Sequence, residues 1–126
     1  MRWIAPALMV LAAAALTAAA APDEEAHKPD AAAGKKLFIA KGCVACHQAD
    51  GRGGIRLSGN PTPDWRNPVR MADSTYDDAY LRDCITNGKP KSGMVSWKKQ
   101  LEPHQIDDLI AYIRTFSRTA EAKKKK

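Results

Sequence analysis

Cys43, Cys46 and His47 stand in a Cys-x-x-Cys-His run, Cys43-Val44-Ala45-Cys46-His47, whose residue types and spacing suit covalent attachment of a c-type haem. On one turn of helix, residues three and four apart share a face. The two thiols can therefore reach two vinyl groups while the imidazole points at iron. A bare Cys-x-x-Cys also suits a thioredoxin-like redox pair, but no βαβ pattern surrounds this one. A zinc site needs a second ligand pair. The remaining cysteine is Cys84, and the remaining histidines are His27 and His104, so neither a Cys₄ set nor a His-x₃₋₅-His pair can be assembled.

The elements that must position this motif are mostly helical. A first helix is expected from Ala31–Ala33 through Lys41, with Gly42 ending it just before the motif. A second opens at Glu102-Pro103, proline in the first turn, and Ile106, Leu109, Ile110, Ile113 and Phe116 recur at three-and-four spacing, a stripe that must be buried. Between them, Ser74 and Thr75 offer caps, Asp77 and Asp78 suit a first turn, and Tyr80, Leu81, Cys84 and Ile85 form one face up to Gly88. No run alternates with strand period. Residues 51–73 read as a long irregular stretch rich in Gly, Pro and Arg, which inside a compact domain needs something to fold around.

The N-terminus reads separately. Met1-Arg2-Trp3 followed by an apolar run from Ile4 to Leu16 suits a secretory signal peptide, and Ala18-Ala19-Ala20 suits cleavage before Ala21. A retained membrane anchor is the competing reading, weakened by Pro6 and the high alanine content. Export and haem attachment agree with a periplasm or similar oxidising compartment. Residues 21–32, made of Ala, Pro and charge, read as a flexible leader in which His27 is simply solvated. The rest of the chain suffices for one domain with a small apolar core, and with only eight aromatic residues in the chain, haem would supply much of that core.

On these residues the chain resembles the class I c-type cytochromes over about Ala32 to Ser117. Gly34 and Phe38 match that family's small and aromatic positions on the first helix, and Leu109 and Tyr112 match the last. Asp50-Gly51-Arg52-Gly53 and Ile85-Thr86-Asn87-Gly88-Lys89, running through Gly93-Met94 to Trp97 and Leu101, extend the likeness. The resemblance implies an all-α fold, the small class I cytochrome c fold with crossed N- and C-terminal helices around a covalently attached haem. The chain then divides into a signal peptide (1–20), a leader (21–32), a monohaem domain (33–118) and a basic tail (119–126), of which Lys123 to Lys126 are expected to be disordered. It also implies His47 as proximal and Met94 as distal iron ligand, since family members carry a methionine in a loop shortly before the final helix. Met71 and His104 are the rivals. Met71 precedes the middle helix, and His104 would distort the start of the last one. A six-coordinate iron leaves one task, moving single electrons at a comparatively high potential, with no bond-breaking catalysis.

Charge bears on partners. The chain carries 20 basic and 14 acidic side chains, formally +6. Lys89, Lys91, Lys98 and Lys99 bracket Met94, while Lys35, Lys36, Lys41, Arg52 and Arg56 cluster around the motif, an arrangement suited to acidic docking patches on redox-partner proteins. Nucleic acid is not an expected partner of an exported haem protein. A monomer without stable membrane insertion after signal cleavage is expected. Two other classes stay open: a haem subunit fixed to a larger oxidoreductase, and an open-site haem enzyme or sensor if Met94 does not bind iron. Arg52, Arg56, Arg66, Trp65 and Trp97 are candidates to contact the haem propionates. The resemblance also implies that Pro61 or Pro63 marks the backbone carbonyl that receives the proton of the second nitrogen of His47. Cys84 reads as a buried small hydrophobe.

Overall fold

The computed structural model describes residues 26–126; the expected signal peptide and the first part of the expected leader lie outside the described residues. Five helices follow one another: α1 (Ala31–Ala40), α2 (Val44–His47), α3 (Pro68–Ala72), α4 (Asp78–Asn87) and α5 (Pro103–Lys124). There is no strand among the described residues, only an isolated antiparallel bridge between Lys89 and Met94. The all-α expectation holds.

Local chemistry starts and stops these helices. Asp30 caps α1 by accepting the Ala32 N–H. Pro103 opens α5 inside a capping box in which Glu102 and Gln105 satisfy each other's end of the first turn. The stripe on α5 is buried as expected, at Ile106, Leu109, Ile110, Ile113 and Phe116. It packs chiefly against α1, and the crossing requires a residue without a side chain. A Cβ on Gly34 would stand 1.9 Å from the Asp108 carbonyl oxygen. Phe38 and Leu109, 1% and 2% exposed, fill the crossing from the two helices.

Three expectations are corrected. Asp77, not Ser74 or Thr75, caps α4 by accepting the Tyr80 N–H; Ser74–Tyr76 form a separate 3₁₀ turn capped by Asp73. The short Asp side chain reaches its third following N–H more readily than a distant serine could. The stretch 51–73 is not irregular throughout, because Asn67 and Pro68 nucleate α3 and carry Met71 into the core at 7% exposure. Lastly, α5 continues to Lys124, through the basic tail and into the Lys123–Lys126 run expected to be disordered. Alanine at positions 120 and 122 among charged residues favours helix there without burial.

His27 is not merely solvated. Its Nε2 lies 2.7 Å from Oδ1 of the buried Asp108, which also accepts the Asp30 N–H, and its ring meets His104 edge-on at 5.2 Å. A buried carboxylate needs such partners, and no local pattern advertises one on a helix 81 residues away. On the other side of α5, Arg114 donates to the Met71 and Tyr76 carbonyl oxygens and to Asp78, tying α3 and the start of α4 to the last helix.

Candidate cofactor site

Helix α2 is a single turn wedged against the end of α1, where the Cys43 N–H donates to the Phe38 carbonyl at 3.0 Å. The His47 N–H donates to the Cys43 carbonyl at 2.9 Å, so both cysteines and the histidine share one turn, as the motif requires. From the other side, the Thr62 hydroxyl donates to the Cys46 carbonyl at 2.9 Å and accepts the Ile55 N–H. Thr62 carried no signal in sequence, since its partner is a backbone carbonyl 16 residues earlier.

Cys43, Cys46 and His47 open onto a cavity of about 460 Å³ with predominantly apolar walls, within the ~300–1,000 Å³ typical of cofactor pockets. Met94 also lines it, with Leu81 and Ile85 of α4 and Leu109 and Ile113 of α5. Met71 and His104 do not. Burial pushes the Cys43 thiol upward and lowers the His47 pKa to about 4, leaving the imidazole neutral with a free lone pair at neutral pH. No disulfide joins any of the three cysteines. Two cysteine side chains outside any disulfide, a neutral imidazole and a thioether around one apolar cavity fit a haem c, and Cys43 and Cys46 would carry its thioether bonds.

His47 lies against rings. The Trp65 indole stacks on its imidazole with centroids 4.2 Å apart and planes within 9°, and Phe116 of α5 stacks behind Trp65 at 6.1 Å and 16°. Phe38 of α1 tilts against all three rings. The Trp65 backbone N–H donates to the Gly51 carbonyl, and a Cβ on Gly51 would stand 2.6 Å from the Phe116 ring, so only glycine lets the chain after the motif pass this close. Neither expected proline carbonyl reaches the histidine: His47 Nδ1 is buried and has no hydrogen-bond partner. The Pro61–Pro63 turn spends its central residue elsewhere, because Thr62 exchanges backbone bonds with Gly54 and Ile55.

Met94 is held in another way. Its backbone pairs with Lys89 in both directions, at 2.9 and 3.1 Å, around a tight turn at Pro90–Ser92. The Trp97 N–H donates to the Ile85 carbonyl and the Ser96 hydroxyl to that of Thr86, so the loop is sewn to the end of α4. Gly88, at φ +74°, makes this possible; a Cβ there would meet the Met94 carbonyl oxygen at 2.6 Å.

The propionate candidates separate. Arg52 is engaged with Asp50, Arg66 with Asp64, and Arg56 with the Gly59 carbonyl, whereas Trp65 and Trp97 line the cavity. Arg70 and Lys89 line it too, and Arg70 was missed because a helix not expected from sequence carries it. Cys84 is half-buried and lines the cavity, not a core position, beside Tyr80, whose ring lies under the Lys89 ammonium at 4.7 Å. Leu57 and Val95 edge the cavity yet remain 65% and 59% exposed.

Residues 31–117 match the family model described as cytochrome c. Among curated proteins, the chain is similar to the Cbb3-type cytochrome c oxidase subunit FixP of Bradyrhizobium sp. (strain ORS 278), 36% identical over 90 residues. It is also similar to the FixP of Bradyrhizobium diazoefficiens, 30% identical over 87 residues. Each alignment covers 69% of this chain and 28% of the relative, so the chain spans a little over a quarter of the length of these relatives.

Proposed function

Because this chain belongs to the cytochrome c family and so carries haem c with its iron covalently attached, we propose that it moves single electrons between redox proteins in the periplasm, with His47 and Met94 as axial ligands. The observation that carries this reading is that Cys43, Cys46, His47 and Met94, from two distant parts of the chain, line one apolar cavity. The bound group supplies a one-electron iron couple. The protein's own residues do the rest. Cys43 and Cys46 anchor the macrocycle, and His47, kept neutral by burial, offers its lone pair without first losing a proton. The Met94 thioether would favour the ferrous state relative to a harder ligand, and the apolar walls from α4 and α5 would disfavour the extra charge of the ferric state.

Closed ligation leaves no position for a substrate, so the role is electron transfer without bond-breaking catalysis. Exposed Leu57 and Val95 at the cavity edge, with Lys89, Lys91, Lys98 and Lys99 in the neighbouring sequence, suit docking of an acidic partner surface. The signal-like segment before Ala21 supports export. No helix among the described residues is long and apolar enough to cross a membrane.

Oxidised and reduced absorption spectra of the haem-loaded protein and its Met94→Ala variant test the ligation. A sulfur-to-iron charge-transfer band present in the parent and absent from the variant is the expected result. A high-spin parent that binds added ligands would overturn it in favour of an open-site enzyme or sensor. The similarity to oxidase subunits favours a second reading, in which the same domain works as a fixed haem module of a larger oxidoreductase. Co-purification with a membrane oxidase through a salt wash would select that reading over a free carrier.

A further inference from the structure

The turn at Pro90–Ser92 that leads into Met94 is also met by residues 57–59, from the segment that follows the haem motif. The Ser58 hydroxyl donates to the Lys91 carbonyl at 3.0 Å, across 33 residues of sequence. Two glycines bring the backbones this close. A Cβ on Gly59 would stand 2.5 Å from the same Lys91 oxygen, and one on Gly93 would stand 3.0 Å from the Leu57 Cβ. Both glycines have positive φ, +53° and +85°, a conformation that side chains resist. Arg56 braces the approaching segment by donating to the Gly59 carbonyl. Leu57, Ser92 and Gly93 line the cavity beside Met94, so the contact lies at the methionine end of the site. Residues 56–60 are exposed, and a contact with so little buried area opens at low cost.

We propose that residues 57–59 form a clasp on the methionine loop, in which Ser58 is a positioning residue that acts through the Lys91 carbonyl to keep the Met94 sulfur in place. The proposal rests on the reading that Met94 binds iron. To leave the iron, Met94 must swing out with its turn, and that movement breaks the clasp. Once the clasp is gone, the loop keeps its ties to α4 alone, and its displacement costs less. An added nitrogen ligand then replaces the sulfur one for one, with no electron transferred. The segment after the motif thereby guards the ligand opposite the motif's own histidine.

The test titrates imidazole into the ferric haem-loaded parent and its Ser58→Ala, Ser58→Thr and Gly59→Ala variants, following the loss of the sulfur-to-iron charge-transfer band. Ser58→Ala is expected to bind imidazole about two- to five-fold more tightly, the effect of one exposed hydrogen bond. Ser58→Thr, which keeps the hydroxyl, is expected to match the parent, and Gly59→Ala, which pushes Lys91 away, to exceed Ser58→Ala. Should Gly59→Ala not hold haem, the two Ser58 variants decide alone. Asp108→Ala serves as the control, because it weakens the fold behind the helix crossing and is expected to leave imidazole affinity at the parent value. Parental affinity in Ser58→Ala, a Thr variant no closer to the parent than the Ala variant, or equal tightening in Asp108→Ala overturns the clasp while methionine ligation stands. A parent without the charge-transfer band overturns the ligation reading and the clasp together.

Discussion

His47 stacks on Trp65, a ring backed by Phe38 of α1 and Phe116 of α5, whereas Met94 sits in a loop whose ties run to the end of α4. On the histidine side the contacts join residues far apart in sequence and most of the rings are buried, so they form only once α1 and α5 have crossed. On the methionine side the ties are backbone hydrogen bonds between residues 85–97, in a segment edged by exposed Val95. The difference teaches that one cavity can hold a stiff ligand, built into the global fold, beside a ligand that can be moved locally. Local openings are drawn from regions with few buried contacts, so the Met94 loop is where ligation should first loosen.

The contrast can be broken from the histidine side with the largest effect. Gly34→Val places side-chain atoms inside the Asp108 carbonyl and must separate α1 from α5. A loss of about 4 kcal/mol or more is expected, seen as a collapse in the yield of haem-containing protein and in the denaturant midpoint. A well-folded variant with a parental midpoint would mean that the crossing does not support the histidine wall. The methionine side should yield at lower cost. Gly88→Ala combines strain at φ +74° with contact at the Met94 carbonyl, and about 1–3 kcal/mol is expected. Its signature would be a weakened methionine-to-iron band with the global fold retained; loss of fold instead would show that the loop is not a local unit.

Behind the crossing, Asp108→Ala leaves His27 and the Asp30 N–H without their shared acceptor. A loss of roughly 1–2 kcal/mol is expected, with amide exchange accelerated at residues 30–33 and the haem spectrum unchanged. A spectral change would mean that the back of the crossing reaches the ligand after all. The smallest effect concerns acid. The Arg52 side chain holds the Asp50 carboxyl down from 3.8 to about 2. With the folded-state pKa depressed, the unfolded chain binds more protons through that interval, so the contribution is complete above about pH 4 and is lost as pH falls through about 2. Asp50→Asn should flatten the acid limb of a stability curve slightly in that window, because the pair is exposed. An identical limb in the variant would remove the pair from the account.

Much of this protein was legible locally. The three-and-four spacing of Cys43, Cys46 and His47 and the stripe from Ile106 to Phe116 depend only on helix geometry, which the chain carries with it. The crossing at Gly34 came instead from the family resemblance, which implied crossed terminal helices before any helix was placed against another. What stayed illegible involves groups whose partners lie far along the chain. Met71 and Met94 both read as loop methionines, and packing alone carried the first into the core under Arg114 and the second to the cavity. Trp65 could be proposed only as a hydrogen-bond donor, because stacking needs a second ring at a known distance and tilt. Cys84 looked buried on its helix face until a cavity opened beside it, and His27 looked free until Asp108 arrived from α5. Periodicity specifies which face of an element turns inward; which distant residue it meets there is set by the simultaneous fit of all the elements, and no single segment encodes that.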